Sequence, residues 1–133
     1  MKIVLDTNIY ISAAVFGRLC EEVIQFCRFD KISVYISEDI IDEIENKLIV
    51  KFSWKENQIR VFLENILEFC KIVEVEERIV FIKEDPDDDK ILECAVSAKC
   101  EYIVSGDKHL INLKSYKNIK ILKPADFLFL IKK

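Results

Sequence analysis

Short apolar runs recur along the chain, separated by stretches whose apolar residues fall at helical intervals, and this alternation restricts the fold more than any other feature of the sequence. Lys2-Ile3-Val4-Leu5 is a β-branched run that stops at Asp6 and passes through Asp6-Thr7-Asn8 into a helix-capping segment. Ser33-Val34-Tyr35-Ile36 and Tyr102-Ile103-Val104-Ser105 read as further strands, as do Lys71 to Val75 and Ile119 to Leu122. Between them, residues 18–29, 38–50 and 55–70 and the segment from Ile91 to Ala98 space their apolar side chains three and four apart, and 125–131 forms a closing helix. Strands that alternate with helices predict an α/β fold with a mainly parallel sheet covered on both faces, a three-layer α/β/α arrangement. In such sheets ligands bind beyond the carboxyl ends of the strands, where strand order reverses. Asp6 and Asp107 stand at two of those ends.

A chain of 133 residues that is 51% hydrophobic buries one core and is short for two, so residues 1–133 are expected to form a single domain. Only two Gly and two Pro, with 33% charged residues, exclude low-complexity and fibrous classes. No apolar run approaches the roughly 20 residues that span a bilayer, and the N-terminal run meets Asp6 too early for a secretion signal, so a cytoplasmic protein is expected. Cys20, Cys27, Cys70, Cys94 and Cys100 are odd in number and contain no CxxC pair, which reads as reduced, buried thiols rather than disulfides or a zinc site. A net charge of −4 argues against a nucleic-acid partner only if the acids are dispersed. Were Asp6, Glu43, Asp89 and Asp107 all on bound cations, the remaining charge would be −4 + 4 = 0.

Those acids come from four separate segments. Ser37 is placed to cap the helix that carries Glu43, on the edge of the stripe Ile40, Ile41, Ile44 and Leu48. Asp85-Pro86-Asp87-Asp88-Asp89 opens a helix with proline just inside its start and acids in its first turn, and Gly106-Asp107 forms a turn after a strand that lets the backbone pivot. Taken singly, each acid has a plainer reading: Asp6 or Asp107 as helix caps, residues 85–89 as partners of the helix dipole, Glu43 as a solvated helix residue. Brought together, they repel one another, and a hard divalent cation with oxygen ligands, magnesium or manganese, resolves that repulsion. Such a site suits phosphodiester hydrolysis that leaves 5′-phosphate and 3′-hydroxyl ends. His109 is the chain's one histidine, read as a surface residue, so an imidazole acid–base pair is excluded. A nucleophile elbow is missing too.

Ile3-Val4-Leu5-Asp6-Thr7-Asn8, Ser37-Glu38-Asp39-Ile40-Ile41-Asp42-Glu43, Asp85-Pro86-Asp87-Asp88-Asp89-Lys90-Ile91-Leu92-Glu93-Cys94-Ala95 and Tyr102-Ile103-Val104-Ser105-Gly106-Asp107 occur in the order of the four motifs of PIN domains. The resemblance spans essentially the whole chain and is closest to the branch of toxin components of toxin–antitoxin systems (VapC-like). It implies a Mg2+- or Mn2+-dependent ribonuclease acting on RNA, commonly a homodimer, silenced by a cognate antitoxin protein. It places Asp6, Glu43, Asp89 and Asp107 at the catalytic positions, with Asp6, Asp89 and Asp107 as metal ligands. Asp88 is the alternative or additional third acid, and Asn8 and Ser105 are supporting polar residues. An antitoxin that enters such a pocket is expected to insert an Arg or Lys toward Asp6, Glu43 and Asp107, Arg having the fork that better suits paired carboxylates. Arg18, Lys90 and Lys108 are the basic residues near the expected site. The alternatives are a catalytically silent PIN-like module that binds RNA or protein, and a metal-dependent phosphatase. The phosphatase signature needs an acid two residues after Asp6, where this chain has Asn8.

Overall fold

A computed structural model describes residues 1–29, 31–79 and 86–132. Six strands, β1 (Lys2–Leu5), β2 (Ser33–Ile36), β3 (Cys70–Ile72), β4 (Tyr102–Val104), β5 (Ser115–Tyr116) and β6 (Ile119–Leu122), form one sheet in the order β3-β2-β1-β4-β6-β5. The first four pairings across it are parallel, and β5 joins β6 antiparallel at the edge. Helices α1 (Thr7–Val15), α2 (Leu19–Phe29), α3 (Glu38–Phe52), α4 (Glu56–Leu67), α5 (Pro86–Ser97), α6 (Lys108–Leu113) and α7 (Pro124–Ile131) complete a three-layer α/β/α fold. Among the described residues, no helix is long and apolar enough to cross a membrane.

The central strand explains the continuous apolar runs. Ile3, Val4 and Leu5 of β1 are all fully buried, because a strand in the middle of a sheet with helices on both faces has no solvent side. β2, one place further out, already alternates buried and half-buried residues. Helix α5 packs on β1, β2 and β4, and α1 packs on α3, so the starts of α1, α3 and α5 gather at one end of the sheet.

Local signals set most boundaries. The Ser37 hydroxyl accepts a hydrogen bond from the Ile40 N–H at 3.3 Å and caps α3 as expected. That helix runs past residue 50 and ends where Ser53 turns left-handed (φ 53°), with the Trp54 N–H reaching back to Leu48 O at 3.0 Å. The expected strand from Lys71 to Val75 is shorter: the Val73 N–H still bonds Ile36 O at 2.9 Å, and the chain then leaves the sheet. Residues 80–84 of the connector and Asp85 lie outside the described residues. Helix α6 and strand β5 are additions to the expected elements. The pivot assigned to Gly106 is corrected: its φ is not positive and an added Cβ would meet nothing within 4 Å, so the turn does not depend on glycine there.

Candidate functional site

β1 and β4 lie side by side in parallel, with Leu5 level with Val104. From β1 the chain builds outward through β2 and β3, then returns to lay β4 on the other side of β1, so strand order reverses between these two strands. The Asp6 N–H donates to Val104 O at 2.9 Å and the Ser105 N–H to Leu122 O at 2.9 Å, which extends the ladder by one residue and fixes both backbones at the reversal. There the Ser105 hydroxyl, fully buried, donates to Asp6 Oδ2 at 2.6 Å and accepts from the Asp107 backbone N–H at 2.9 Å. Asp107 in turn accepts the His109 N–H at 2.8 Å through Oδ1 and caps α6. The two aspartates therefore behave differently. Asp107 does serve as a helix cap, whereas Asp6 occupies the N-cap position of α1 and makes no side-chain cap bond, its carboxylate being turned to Ser105 instead.

Asp6 is 3% exposed. Burial pushes its carboxyl up to about 6 from an ordinary 3.8; the Ser105 hydrogen bond opposes this, the charges of Glu43 and Asp107 add to it, and Lys47 offsets it in part. Acids from β1, α3 and the β4–α6 turn thus share one electrostatic neighbourhood. Glu43, at the inner edge of α3, keeps only 10% of its side chain exposed and lies 3.5 Å from Lys47 Nζ, one helical turn on. Lys47 also donates to Asn8 Oδ1 at 3.1 Å, which ties α3 to the first turn of α1. The third motif places two consecutive buried carboxylates, Asp88 and Asp89, 5% and 6% exposed, in the first turns of α5. One turn further along, Glu93 is buried as well and accepts Arg78 Nη1 at 3.1 Å and the Ile79 N–H at 2.8 Å. Arg78 reaches on to Asp39 at 2.6 Å, so the connector is fastened to the first turn of α3 and to the middle of α5.

Residues 2–109 match the PIN domain family model. This chain belongs to the PIN-domain family. It is 27% identical to an uncharacterised protein of Methanocaldococcus jannaschii, over 96% of this chain and 90% of that protein. Its fold is similar to that of VapBC2 from Rickettsia felis, solved bound to a DNA fragment from their promoter, with a TM-score of 0.67 at 16% identity over 92% of this chain and 98% of that one. VapBC-1 from nontypeable Haemophilus influenzae gives a TM-score of 0.66 at 16% identity, over 94% of this chain and 99% of that one. The PIN domain endonuclease Utp24 gives 0.59 at 20% identity, over 92% of this chain and 84% of that one.

In this PIN domain the donor set at the strand ends is all oxygen, as a hard divalent cation requires. Among the described residues, no three His, Cys, Asp or Glu side chains stand close enough to share one ion. Each acid is held by its own local partner: Asp6 by Ser105, Asp107 by the His109 N–H, Glu43 by Lys47. The donors suit a hard divalent cation in kind, and the charges of Glu43 and Asp107 act on Asp6 without ligating contact. Among the described residues no cysteine forms a disulfide, and burial raises the thiols of Cys70, Cys94 and Cys100 to about 11 or 12.

Two residues at this end of the PIN domain lay outside the sequence expectations. Lys47 was signalled only by its Glu43-to-Lys47 helical spacing, and Glu93 by an acid set inside the apolar run Ile91-Leu92-Glu93-Cys94-Ala95. Of the basic residues that were singled out, Arg18 and Lys108 are exposed and Lys90 is half-buried. His109 is half-buried rather than a surface residue, and its contribution is its backbone N–H.

Proposed function

We propose that this PIN domain is a Mg2+- or Mn2+-dependent ribonuclease and the toxin half of a toxin–antitoxin pair. One observation carries the reading: burial of Asp6 at the reversal of strand order pushes its carboxyl up to about 6, and the charges of Glu43 and Asp107 from two other segments add to it. Acids gathered around a buried carboxylate repel one another, and a divalent cation is the ligand these oxygens favour. Asp6, Glu43, Asp107 and a fourth acid, Asp88 or Asp89 of the third motif, would hold it. When bound, the cation neutralises phosphate oxygens and lowers the pKa of a water molecule.

The protein's own residues do the positioning. Ser105 orients the Asp6 carboxylate by a 2.6 Å hydrogen bond, and the Asp107 N–H holds Ser105 in turn. Asn8 stands at the mouth of the site through its bond to Lys47, where its amide can meet a phosphate or ribose. Glu93, held by Arg78 and the Ile79 N–H, fastens the middle of α5, one turn beyond Asp88 and Asp89, to the connector. The fold shared with VapBC structures, one of them on promoter DNA, extends the proposal to an antitoxin partner whose Arg enters among the acids.

The test is cleavage of 5′-labelled single-stranded RNA by the purified chain and its Asp6→Asn variant. Cleavage is expected with Mn2+ or Mg2+, to be lost in EDTA and in Asp6→Asn, and to leave 5′-phosphate ends. Cleavage by the wild type that resists chelation would overturn the metal mechanism. Equal RNA binding by both chains with no cleavage by either would favour a silent binding module.

A further inference from the structure

We propose that Lys47 is a built-in counter-ion of the acid site, its ammonium holding the place at the mouth that an incoming divalent cation must take. The inference rests on the metal-site reading and concerns how that site is guarded. An (i, i+4) Glu–Lys pair on a solvated helix face is commonplace and weak, on the order of 0.3–0.5 kcal/mol. This pair is different in three ways.

First, neither side chain is out in water: Glu43 is 10% and Lys47 21% exposed, unusual for two long charged residues on one helix. Second, Lys47 has a partner on another element, since its ammonium donates to Asn8 Oδ1 at 3.1 Å, two residues beyond Asp6. The lysine thereby links α3 to the first turn of α1, next to the end of the strand that leads into Asp6. Third, its charge acts on Asp6 itself, against the charges of Glu43 and Asp107. Lys47 offsets one unit of the negative charge that Glu43 and Asp107 place around Asp6. Without it the same pocket is one unit more negative and attracts the cation more strongly.

The choice of residue suits a guard. Lys presents a point charge on a four-carbon stem of free rotors and can swing out to solvent, where Arg would form a planar fork with two carboxylate oxygens and resist displacement. When Lys47 leaves Glu43, it frees both that carboxylate and the Asn8 amide in one movement. Cation entry is then coupled to exposure of an ammonium and an amide at the rim, where the phosphodiester would lie.

The experiment is Mn2+ binding by calorimetry at fixed pH to the full chain and to its Lys47→Gln, Lys47→Arg and Asp6→Asn variants, each checked for folding by thermal melting. Lys47→Gln is expected to bind Mn2+ about three- to tenfold more tightly than the wild type, because a repulsive charge has been removed at close range. Lys47→Arg, which keeps the charge and holds the acids more firmly, is expected to bind no more tightly than the wild type. An unchanged or weaker affinity in Lys47→Gln, with the wild type binding and Asp6→Asn not, overturns the guard and leaves the metal site standing. No binding by either the wild type or Lys47→Gln overturns both. Binding that appears only in Lys47→Gln supports the guard in its strongest form.

Discussion

Replacing Asp6 by Asn should stabilise the metal-free protein, and the size of the effect follows from where the carboxyl sits. The group is 3% exposed and its folded-state pKa is about 6 against an ordinary 3.8. Because the folded state holds the proton more tightly than the unfolded chain, the protein loses stability as pH rises through that window. The penalty is absent below about pH 3, grows between the two values and is complete above the folded pKa. Two units at 1.36 kcal/mol each set a ceiling of about 3 kcal/mol. Asn has nearly the same shape, carries no charge and keeps an oxygen for the Ser105 hydroxyl, so it removes the penalty with little lost. In EDTA near pH 7.5, Asp6→Asn is expected to be more stable by about 1–3 kcal/mol, roughly 4–10 °C in Tm for a chain of this size. Near pH 4.5 the gap should shrink to about 1 kcal/mol or less, since the wild-type carboxyl is then protonated in the fold. Chemical and thermal denaturation at both values measure it. A variant less stable than the wild type at pH 7.5, or a gap that does not narrow on acidification, would refute the reasoning and mark Asp6 as a stabilising structural carboxylate.

Other positions separate structural from chemical roles. Asp107→Ala should lose the cap on the His109 N–H at a cost of about 0.5–2 kcal/mol, while Asp107→Asn keeps it within a few tenths; both should lose RNA cleavage, so the pair divides capping from chemistry. Glu93→Ala leaves the Ile79 N–H without its acceptor and should cost about 1–3 kcal/mol by urea denaturation. Of Asp88→Asn and Asp89→Asn, at least one should abolish Mn2+-dependent cleavage; full activity in both would place the fourth acid outside this motif.

The parts of the fold that could be read from the sequence are those where burial leaves a periodic trace. β1 is legible because a strand with no solvent face must be apolar at every position, and α3 because its apolar stripe repeats over successive turns after the Ser37 cap. Helix α6 and strand β5 have six and two residues, too few for either period to declare itself, and they were missed. Gly106 was misread because glycine beside an aspartate suggests a turn that needs its freedom, whereas the backbone there is one any residue can adopt. The strand-end acids were legible as candidates, since an aspartate that interrupts an apolar run is conspicuous. Their coupling was not, because it depends on β4 returning beside β1 and on Lys47 meeting Asn8, contacts 99 and 39 residues apart in the chain. Glu93 was hidden for a similar reason: its partner Arg78 lies in a connector with no pattern of its own.

The most direct measurement is the anomalous scattering of Mn2+ from crystals of the protein soaked in the ion. A metal-dependent nuclease site requires a peak at the carboxyl ends of β1 and β4, bonded to Asp6 and to oxygens of at least one of Asp107, Glu43, Asp88 and Asp89, and lost in Asp6→Asn crystals. Well-ordered crystals that show no such peak, with Asp6 still turned to Ser105 at millimolar Mn2+, would contradict it.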